Sequence, residues 1–441
     1  MNDIALWLDA CNIRRVECLF TDMSGNARGK VLPTETLLRT QDLRFPMVGV
    51  VQTVTGECLQ DLVPQIDPDM KLVPDLLSMR QVPWAEEPTA VLIHDCAHED
   101  GSPVEIAPRN VLKRVLARYA ELGLTPQVAP ELEFYLLAAR ADESATPRKS
   151  TWTDGGHDAV RQPYSIESLE RLEPVLNDIR TYCMQLNISA DTLLQEVGNG
   201  QVEFNLIHGE ALALADQTFL FKRLAKAAAR RHGLECTFMA KPHADEAGSA
   251  MHIHQSLVYA DGCNAFSLPD GKAAPRFAHY IGGLQRYLPE AVLLLAPYVN
   301  SLRRLAPFTA APINVEWGYD NRTCGLRVPP SGPEARRVEN RLPGVDANPY
   351  LAIAVTLACG LLGMQQEIRP TEALAGSAYG RPYAFPRTME EAIDRLAACA
   401  ELAEILGPGF VKTYCDLKSY ELAEFRRQIT PWEYRYLYAL V

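Results

Sequence analysis

The feature that most constrains this chain is a set of strand-like stretches with acidic or imidazole side chains at alternating positions. Glu131 and Glu133 lie in PELEFYLL, and His252 and His254 lie in MHIHQS. Alternate residues of a strand project from the same face, so each pair predicts two side chains that enter one cavity. Carboxylates gathered in a water-poor site repel one another unless cations neutralise them. The pattern therefore predicts a sheet whose acidic face binds metal ions.

Three further carboxylates extend this set: Glu196 and Glu203 in EVGNGQVE, and Glu339 in RRVENR. Oxygen-dominated ligands with one or two imidazoles suit Mg²⁺ or Mn²⁺ better than zinc or copper. A lone Glu-x-Glu pair is more often a solvent-facing strand. The His-x-His pair is a stronger signal because the small residues from Gly248 onwards precede it, and glycine lets backbone approach a ligand closely. Together the motifs indicate an enzyme with several metal ions.

The composition indicates a globular protein, and its charge argues against two classes of partner. Of 441 residues, 47% are hydrophobic and 22% are charged, and the formal net charge is −12. This charge disfavours general binding to nucleic acid or to anionic membranes. Seven arginines nevertheless fall between residues 303 and 341 with no lysine among them: Arg303, Arg304, Arg322, Arg327, Arg336, Arg337 and Arg341. They predict anionic ligands, with surface ion pairs as the alternative.

Cysteine spacing and hydropathy predict a cytoplasmic protein without membrane spans. The eleven cysteines form no CxxC pair, and Cys18, Cys236 and Cys324 lie in apolar surroundings typical of reduced core thiols. The opening residues MNDIALWLDA lack the basic start and apolar run of a signal peptide. The longest apolar stretches, Ala291–Pro297 and Leu351–Met364, are too short to cross a bilayer.

Turn signals and periodicity predict an α+β fold with two domains. Residues 1–105 read as a small β-rich domain that contains a hairpin of Val16–Phe20 with Gly29–Pro33 and ends near strand Val91–Asp95. Residues 106–441 read as a large α+β catalytic domain with a largely antiparallel sheet and helices. The predicted helices are Pro108–Gly123, Ile166–Gln185, Ala211–His232, Phe277–Leu295, Pro349–Glu367 and Thr388–Ala403. The predicted strands are Thr125–Leu137, Gln201–Leu206, Glu235–Met239, Ala250–Tyr259, Asn314–Trp317 and Thr323–Arg327, and Arg140–Pro163 is predicted to be a surface loop.

The ordered motifs resemble those of the glutamine synthetases. GNGQVEFN, FMAKP, GSAMHIHQS, NSLRRLAP, APINVEWG, NRTCGLRVP, RRVENR and DANPYLA follow one another in the order seen in that family, after the EFY that ends the Glu-x-Glu stretch. The resemblance covers nearly the whole chain, from Val16 onwards. The pattern is most similar to the branch that joins glutamate to organic amines, the γ-glutamylpolyamine (γ-glutamylputrescine) synthetases.

The resemblance implies a role for each residue that matches a family motif. It implies two groups of metal ligands, one beside the glutamate γ-carboxyl and one that bridges the ATP phosphates: Glu133, Glu196 and Glu203, and Glu131, His252 and Glu339. It implies nucleotide contacts for four residues: His254, Ser256, Arg327 and Arg337. It implies contacts with glutamate and the transferred phosphoryl group for four residues: Arg304, Arg322, Arg341 and Gly248. Arg304, Arg322 and Glu203 are the expected catalytic residues.

The resemblance also implies the fold, the reaction and the assembly. The expected fold is a small N-terminal β-grasp-like domain, residues 1–105, followed by a large catalytic domain with a curved antiparallel sheet and helices, residues 106–441. The expected enzyme uses ATP and two or three Mg²⁺ or Mn²⁺ ions to convert the γ-carboxyl of L-glutamate to γ-glutamyl phosphate, which an amine then attacks. The expected assembly is a dodecamer of two hexameric rings, in which Phe45–Gly49 and Arg28–Lys30 of one subunit complete the active site of its neighbour. The group that removes a proton from the amine stays open among Glu203, bound phosphate and water.

Two departures from the family pattern predict an organic amine as the nucleophile. Ammonia-using enzymes hold ammonium with an aspartate and a loop glutamate, where this chain has the acid-free stretch Phe45–Gly49 and Ala310. An ammonium ion that lost both partners would be desolvated without compensation. A polyamine and an apolar monoamine both remain open. Met47, Val48, Phe308 and Ala310 suit the monoamine, whereas Glu57 or Asp61 could hold the distal cation of a diamine. The alternatives are a glutamine synthetase that uses ammonium and a catalytically silent assembly.

Overall fold

The computed structural model describes residues 2–39, 42–140 and 161–441. Most of the predicted surface loop Arg140–Pro163 lies outside these residues. Mixed helices and strands confirm the predicted α+β class. Within the described part of the chain, no helix combines the length and apolar composition needed to cross a bilayer. All eleven cysteines, each of them described, are free, and seven are buried.

The chain folds into thirteen helices and fifteen strands within the described ranges. The helices are α1 Asn2–Ala10, α2 Thr34–Arg39, α3 Pro108–Glu121, α4 Ile166–Arg171, α5 Glu173–Gln185, α6 Ala211–Arg231, α7 Pro275–Leu295, α8 Val299–Leu302, α9 Pro349–Gln365, α10 Met389–Ala398, α11 Ala400–Leu406, α12 Pro408–Arg426 and α13 Pro431–Tyr436. The strands are β1 Arg15–Thr21, β2 Ala27–Pro33, β3 Arg44–Pro46, β4 Asp69–Pro74, β5 Arg80–Gln81, β6 Thr89–Ala97, β7 Thr125–Ala138, β8 Ala190–Gln195, β9 Gln201–Leu206, β10 Gly209–Glu210, β11 Leu234–Thr237, β12 Met251–Val258, β13 Trp317–Tyr319, β14 Leu326–Val328 and β15 Val338–Asn340.

The first sheet has the strand order β2-β1-β6-β4-β3, with β5 paired to β6. Its central strands β1 and β6 are parallel and the other pairs are antiparallel, which is the arrangement of a β-grasp sheet. The predicted hairpin is confirmed as β1 and β2. Its turn closes because the Asp22 carboxylate accepts hydrogen bonds from the backbone N–H of Asn26 at 2.8 Å and from Arg28 Nε at 2.8 Å.

The second sheet has nine strands in the order β13-β14-β15-β12-β7-β9-β8, with β10 and β11 also paired to β7. All its pairs are antiparallel except β13 with β14. The 14-residue strand β7 lies at its centre, between β12 and β9. The sheet therefore brings together strands that lie between Thr125 and Asn340, a span of roughly half the 441-residue chain.

Helix α9 is the centre of the helical layer. It is apolar all round and almost wholly buried, as expected of a helix enclosed by protein. It packs along α7, where Gly283 faces Gly363 so closely that a Cβ at Gly283 would lie 2.5 Å from Gly363 Cα. The main apolar core includes Val91 on one side of residue 105 and Val111 on the other. The division into domains 1–105 and 106–441 stays a prediction.

Several predicted segments were wrong in extent. The helix predicted over Ile166–Gln185 is interrupted at Leu172, because Pro174 has no N–H to bond to the carbonyl of Glu170. The helix predicted over Thr388–Ala403 is interrupted at Cys399, which is extended (φ −85°, ψ 91°).

The strand predicted at Asn314–Trp317 begins only at Trp317. The Asn314 side chain accepts a hydrogen bond from the Glu316 N–H at 3.3 Å, and this local turn competes with strand pairing. Strand β14 likewise starts at Leu326 rather than Thr323, because the Asn321 side chain accepts a hydrogen bond from the Thr323 N–H at 3.1 Å. Several elements were not predicted, among them the helices α1, α2, α8, α12 and α13 and the strands β3, β4, β5, β8 and β10.

A buried arginine joins the first sheet to the helices. Arg109 on α3, which is 3% exposed, donates hydrogen bonds to three carboxylates: Asp75 at 2.5 Å, Asp95 at 2.5 Å and Asp216 at 3.0 and 2.8 Å. Asp216 on α6 also accepts a hydrogen bond from the Tyr350 hydroxyl at 2.7 Å. Burial raises the pKa of Asp216, and the guanidinium of Arg109 opposes that rise. The arginine therefore neutralises acids from both parts of the chain at one point.

We expect Arg109→Leu to reduce the free energy of unfolding by about 3–5 kcal/mol, because it leaves three partly buried carboxylates without their shared cation. Arg427→Leu, which removes an exposed ion pair with Glu424, is the matched control and should cost less than about 1 kcal/mol. Urea or thermal unfolding of the two variants measures the difference. Equal stability of both variants would contradict the role of Arg109.

Candidate active site

The strand register places acidic and imidazole side chains on one face of the second sheet. On β7 and β12, Glu131 lies directly opposite His252. On β7 and β9, Glu133 lies opposite Glu203. On β12 and β15, His254 lies opposite Glu339. The predicted alternation of both motif pairs is therefore confirmed, and like charges stand directly opposite at Glu133 and Glu203, which destabilises a sheet unless a cation intervenes.

These residues form three overlapping groups that could each hold a metal ion. The groups are Glu131, His254 and Glu339; Glu131, Glu203 and His252; and Glu133, Glu196 and Glu203, with ligand atoms within 4.8 Å of one another in each. All six predicted metal ligands belong to them. His254, predicted on the nucleotide side, lies in the first group, and its Nε2 is 2.8 Å from Glu131 Oε1. The alternation of the His-x-His pair had placed His254 in one cavity with His252, and only the family resemblance assigned it to the nucleotide.

The pKa values of the carboxyls differ between the two ends of the cluster. At one end, burial followed by repulsion from Glu196 and Glu203 raises the pKa of Glu133 well above its usual value. Burial likewise raises the pKa of Glu196, and burial with the charges of Glu131 and Glu196 raises the pKa of Glu203 to about 8. Among the described residues, too few cationic side chains lie near these three carboxyls to neutralise them. Their protonated forms are therefore favoured.

At the other end, histidine and arginine keep the carboxylates ionised. Burial would raise the pKa of Glu131, but hydrogen bonds from His252 and His254 hold it well below its usual range. Burial would also raise the pKa of Glu339, but Arg341, His252 and His254 together outweigh it and lower the pKa to about 2. Oxygen-rich donors with one imidazole in a group fit a hard divalent cation such as Mg²⁺ or Mn²⁺. A cation among Glu133, Glu196 and Glu203 would remove their mutual repulsion.

Arginines border the cluster on the side of β14 and β15. Glu339 accepts hydrogen bonds from Arg341 Nη1 at 2.5 Å and from Arg327 Nη1 at 2.9 Å. Arg327 also pairs with Asp320 at 2.7 Å, and Arg337 Nε lies 3.3 Å from His254 Nδ1. Arg304 is 4% exposed, and its guanidinium donates to the backbone carbonyl of Leu342.

The remaining arginines of the stretch take different positions. Arg322 is exposed, and its charge reaches Glu196. Arg336 is held by backbone carbonyls, including that of Gly271 at 2.9 Å, and by the Ser267 hydroxyl at 2.5 Å, so it stabilises a turn. The arginine stretch is thus partly a set of structural contacts and partly a lining of the cluster.

Ser256, predicted to contact the nucleotide, holds the turn that carries Arg337. Its hydroxyl donates to the backbone carbonyl of Arg336 at 3.0 Å and accepts from Asn264 Nδ2 at 3.0 Å. Asn264 itself donates to the same carbonyl at 2.9 Å. This side chain therefore positions the backbone beside Arg337, which in turn faces His254.

Gly248 is packed against Arg304. A Cβ there would lie 3.1 Å from Arg304 Cβ, still closer to Arg304 Cγ, and 3.0 Å from the carbonyl oxygen of Ala240. The Gly248 carbonyl accepts a hydrogen bond from Gln201 Nε2 at 3.0 Å. The immediate neighbour of Gly248 is therefore the aliphatic part of the buried Arg304 side chain, and the approach of this backbone to a ligand stays a prediction.

The loop of residues 307–312 carries Phe308 and Ala310, both predicted to bind the amine. Both residues have φ near +60°, and Phe308 is 82% exposed. The carbonyl of Ala310 accepts a hydrogen bond from Arg341 Nη2 at 3.4 Å. The loop is thus linked to an arginine that also binds Glu339.

Gln201 is a site residue that sequence reasoning missed. Its Nε2 lies 3.4 Å from Glu133 Oε2 and 3.1 Å from Ser249 Oγ, and its Oε1 accepts the Gly198 N–H at 3.0 Å. It ties Glu133 to the segment before β12. The signal was available, because Gln201 and Glu203 alternate along β9 and so share one face.

Comparison with known proteins identifies the family. Residues 105–437 match the family model described as "Glutamine synthetase, catalytic domain". The γ-glutamylputrescine synthetase PuuA of Escherichia coli (strain K12) is 35% identical over 97% of this chain and 92% of its own length. The γ-glutamylethanolamide synthetase GlnA4 of Streptomyces coelicolor is 35% identical over 97% of this chain and 93% of its own. A glutamate–isopropylamine ligase of a Pseudomonas species is 33% identical over 98% and 96%.

Solved structures give the same result. A structure of GmaS without ligand superposes with a TM-score of 0.86 at 31% sequence identity and covers 100% of both chains. A structure of GmaS with ADP superposes equally well at 30% identity. Fold, motif order and the acidic face of the second sheet thus agree, and the chain belongs to the glutamine synthetase family.

Proposed function

We propose that this protein is an ATP-dependent ligase that joins the γ-carboxyl of L-glutamate to an organic amine through γ-glutamyl phosphate. The observation that carries the proposal is the face formed by Glu131, Glu133, Glu203, His252 and Glu339, which gathers ligands for divalent cations. Three relatives are named as a γ-glutamylputrescine synthetase, a γ-glutamylethanolamide synthetase and a glutamate–isopropylamine ligase. These names support an amine as the second substrate.

Phosphoryl transfer explains the combination of acidic and basic groups. A carboxylate does not react with amines at neutral pH, so its γ-oxygen must first attack the terminal phosphorus of ATP. A new C–O–P linkage forms, the bond to the bridging oxygen breaks, and ADP leaves. Catalysis of this step consists mainly of positioning and of stabilising negative charge. Divalent cations bound with ATP supply positive charge to the phosphates, and the chain contributes the ligands that hold them and the arginines around them.

We assign the carboxylates and arginines to the two substrates. Glu133, Glu196 and Glu203 hold a cation near the glutamate γ-carboxyl, and Glu131, His252 and Glu339 hold one at the ATP phosphates. Mg²⁺ or Mn²⁺, two or three per site, fits the oxygen-rich donors. Nucleotide contacts fall to four residues: His254, Ser256, Arg327 and Arg337. Contacts with glutamate and the migrating phosphoryl group fall to four residues: Gly248, Arg304, Arg322 and Arg341. The position of Ser256 supports an indirect role through the Arg337 turn.

The second step forms the amide. A protonated amine must lose one proton to free its lone pair, then attack the γ-carbonyl carbon. The C–N bond forms, the C–O bond to phosphate breaks, inorganic phosphate leaves, and a second proton leaves the nitrogen. Glu203, bound phosphate and water are the candidate acceptors, and we assign the stabilisation of the departing phosphate to Arg304 and Arg322.

An organic amine fits the site better than ammonium. Ala310 supplies no charge to its loop, and Phe45–Gly49 supplies only apolar side chains. In the proposed dodecamer of two hexameric rings, Phe45–Gly49 and Arg28–Lys30 reach the site of a neighbouring subunit. Within its own chain, Arg28 pairs with Asp22. Arg28 can therefore take part in the neighbouring site only if its guanidinium binds there while it also contacts Asp22.

We expect ATP- and glutamate-dependent phosphate release with organic amines and little with ammonium, because neither acidic partner of ammonium is present. The measurement is phosphate release with ammonium, ethanolamine, isopropylamine, phenylethylamine, putrescine and spermidine at matched concentration and pH, with mass spectrometry of the amide. Release chiefly with ammonium would mean that the chain is a glutamine synthetase. No release with any amine would mean a catalytically silent assembly.

Loss of a metal ligand should weaken metal binding and yet stabilise the metal-free protein. We expect EDTA to abolish phosphate release, and Mg²⁺ or Mn²⁺ to restore it. Glu133→Gln should weaken Mn²⁺ binding at least about tenfold, measured by calorimetry. The same variant should raise the thermal midpoint in EDTA at neutral pH, because the amide avoids the cost of protonating this buried carboxyl on folding. Glu424→Gln on the exposed face of α12 is the control, and unchanged Mn²⁺ binding in Glu133→Gln would contradict the metal assignment.

Gly248→Ala should lower kcat/KM for glutamate by about 10²-fold, because its Cβ displaces the buried Arg304 by about an ångström. Gly376→Ala, where a Cβ meets nothing within 4 Å, is the matched control. Steady-state kinetics with varied glutamate measures both variants. An unchanged kcat/KM in Gly248→Ala would show that this approach does not position Arg304 for catalysis.

A further inference from the structure

Phe308 and Tyr379 form an aromatic pair at the edge of the site. Their ring centroids are 5.1 Å apart with an interplanar angle of 48°. The Tyr379 hydroxyl donates a hydrogen bond to the carbonyl of Ala311 at 3.2 Å, so Tyr379 supports the loop that carries Phe308. Because Phe308 packs on Tyr379 with one side only, 82% of its surface is exposed.

Folding alone does not account for this arrangement. A phenylalanine contributes to stability when it is buried, and this ring gains little from one partly exposed contact. Its backbone lies in the left-handed region at φ 60°, which is unfavourable for a bulky residue, and Ala310 two positions later has the same φ. Unfavourable backbone conformations persist mainly where surrounding contacts impose them, and they concentrate at ligand sites.

The loop is fastened to two arginines of the candidate site. The Thr309 hydroxyl donates to the carbonyl of Arg304 at 3.4 Å, as well as to that of Ala306 at 2.6 Å. Arg341 donates to the carbonyl of Ala310 through Nη2 and to Glu339 through Nη1. The exposed ring of Phe308 therefore lies on a loop that contacts Arg341, and Arg341 also binds Glu339 of the carboxylate cluster.

We propose that Phe308 and Tyr379 bind the carbon body of the amine, so that the enzyme selects monoamines with an alkyl or aryl group over ammonium and over diamines. This inference rests on the proposed ligase function and names its substrate class. An amine whose nitrogen points toward the γ-carbonyl directs its carbon body outward, toward the edge of the site. The aromatic pair offers an apolar surface there.

The charges around the pair disfavour a second ammonium group. The nearby cationic residues are Arg304 and Arg341, and the charge of Arg341 acts against the rise that burial causes in the pKa of Tyr379. Among the described residues, no carboxylate pairs or hydrogen-bonds with a side chain of loop 307–312 or with Tyr379. Glu57 and Asp61, the alternative partners of a distal cation, are both exposed in the N-terminal part of the chain and would have to act from a neighbouring subunit. A diamine would leave its second charge beside arginines.

The test is a comparison of amines that differ in one feature at a time. Butylamine and putrescine share a four-carbon chain and differ in the distal ammonium group. Methylamine and phenylethylamine share one amino group and differ in the apolar body. With the full-length enzyme, saturating ATP and saturating glutamate, we expect kcat/KM for butylamine to exceed that for putrescine at least about tenfold, and phenylethylamine to exceed methylamine by a similar factor.

Variants assign this selectivity to the rings. Phe308→Ala and Tyr379→Ala should each lower the phenylethylamine-to-methylamine ratio of kcat/KM about tenfold, mainly through KM for the larger amine. Tyr379→Phe keeps the ring and should keep the ratio. Phe425→Ala, which removes a half-exposed ring on α12, is the matched control and should leave kcat/KM for all four amines unchanged.

Outcomes separate this inference from the function on which it rests. Better turnover with putrescine than with butylamine, or a Phe308→Ala variant that retains the wild-type ratio, would overturn the aromatic site while the ligase function stands. Turnover with ammonium alone, or none with any amine, would overturn the ligase function, and the inference would fall with it.

Discussion

The structure depends on how buried negative charge is accommodated on one face of a single sheet. Three strands, β7, β9 and β15, carry Glu131, Glu133, Glu203 and Glu339, and Glu196 joins them from the turn before β9. Removing carboxylates from water is costly, and placing them side by side adds repulsion. At the Glu339 end, arginine side chains supply the counter-charge and histidine side chains supply hydrogen bonds. At the Glu133 end they do so less, and the raised pKa of Glu133 records the deficit that a divalent cation would remove.

The parts of the chain around this face either supply positive charge or fix its position. Ala250 donates its N–H to Glu133 at 2.8 Å, and Gln201 holds the preceding segment, so the carboxylate is oriented before any ligand binds. Arg341 contacts Glu339 and the loop of residues 307–312 with the two arms of one guanidinium, which couples the acidic face to the site edge. Preorganised groups of this kind are what phosphoryl transfer requires, because little reorganisation then remains for the reaction itself.

Much of the fold could be predicted because local patterns agree with the final structure. The alternation in β7 and β12, the β1–β2 hairpin and the long amphipathic or apolar helices follow from periodicity and turn residues. Errors fell where short-range hydrogen bonds compete with pairing, as at Asn314, or where a proline interrupts a helix, as after Leu172. The seven cluster residues were found, six of them as metal ligands. Gln201 was missed because an amide without charge carries no distinctive signal, although its position on β9 was predictable.

The sequence by itself determined which residues can face the same way, because side-chain alternation is a property of each strand alone. It also determined that arginine and carboxylate would dominate the chemistry. Only the tertiary structure decided which arginines reach the cluster. Arg336 is bound by backbone carbonyls and Arg341 by Glu339, although both lie in one short stretch. Only the structure also brought Phe308 to Tyr379, 71 residues away, and placed both beside Arg341. Such neighbours depend on strand order and loop closure, and these are fixed by packing of the whole chain rather than by any local pattern.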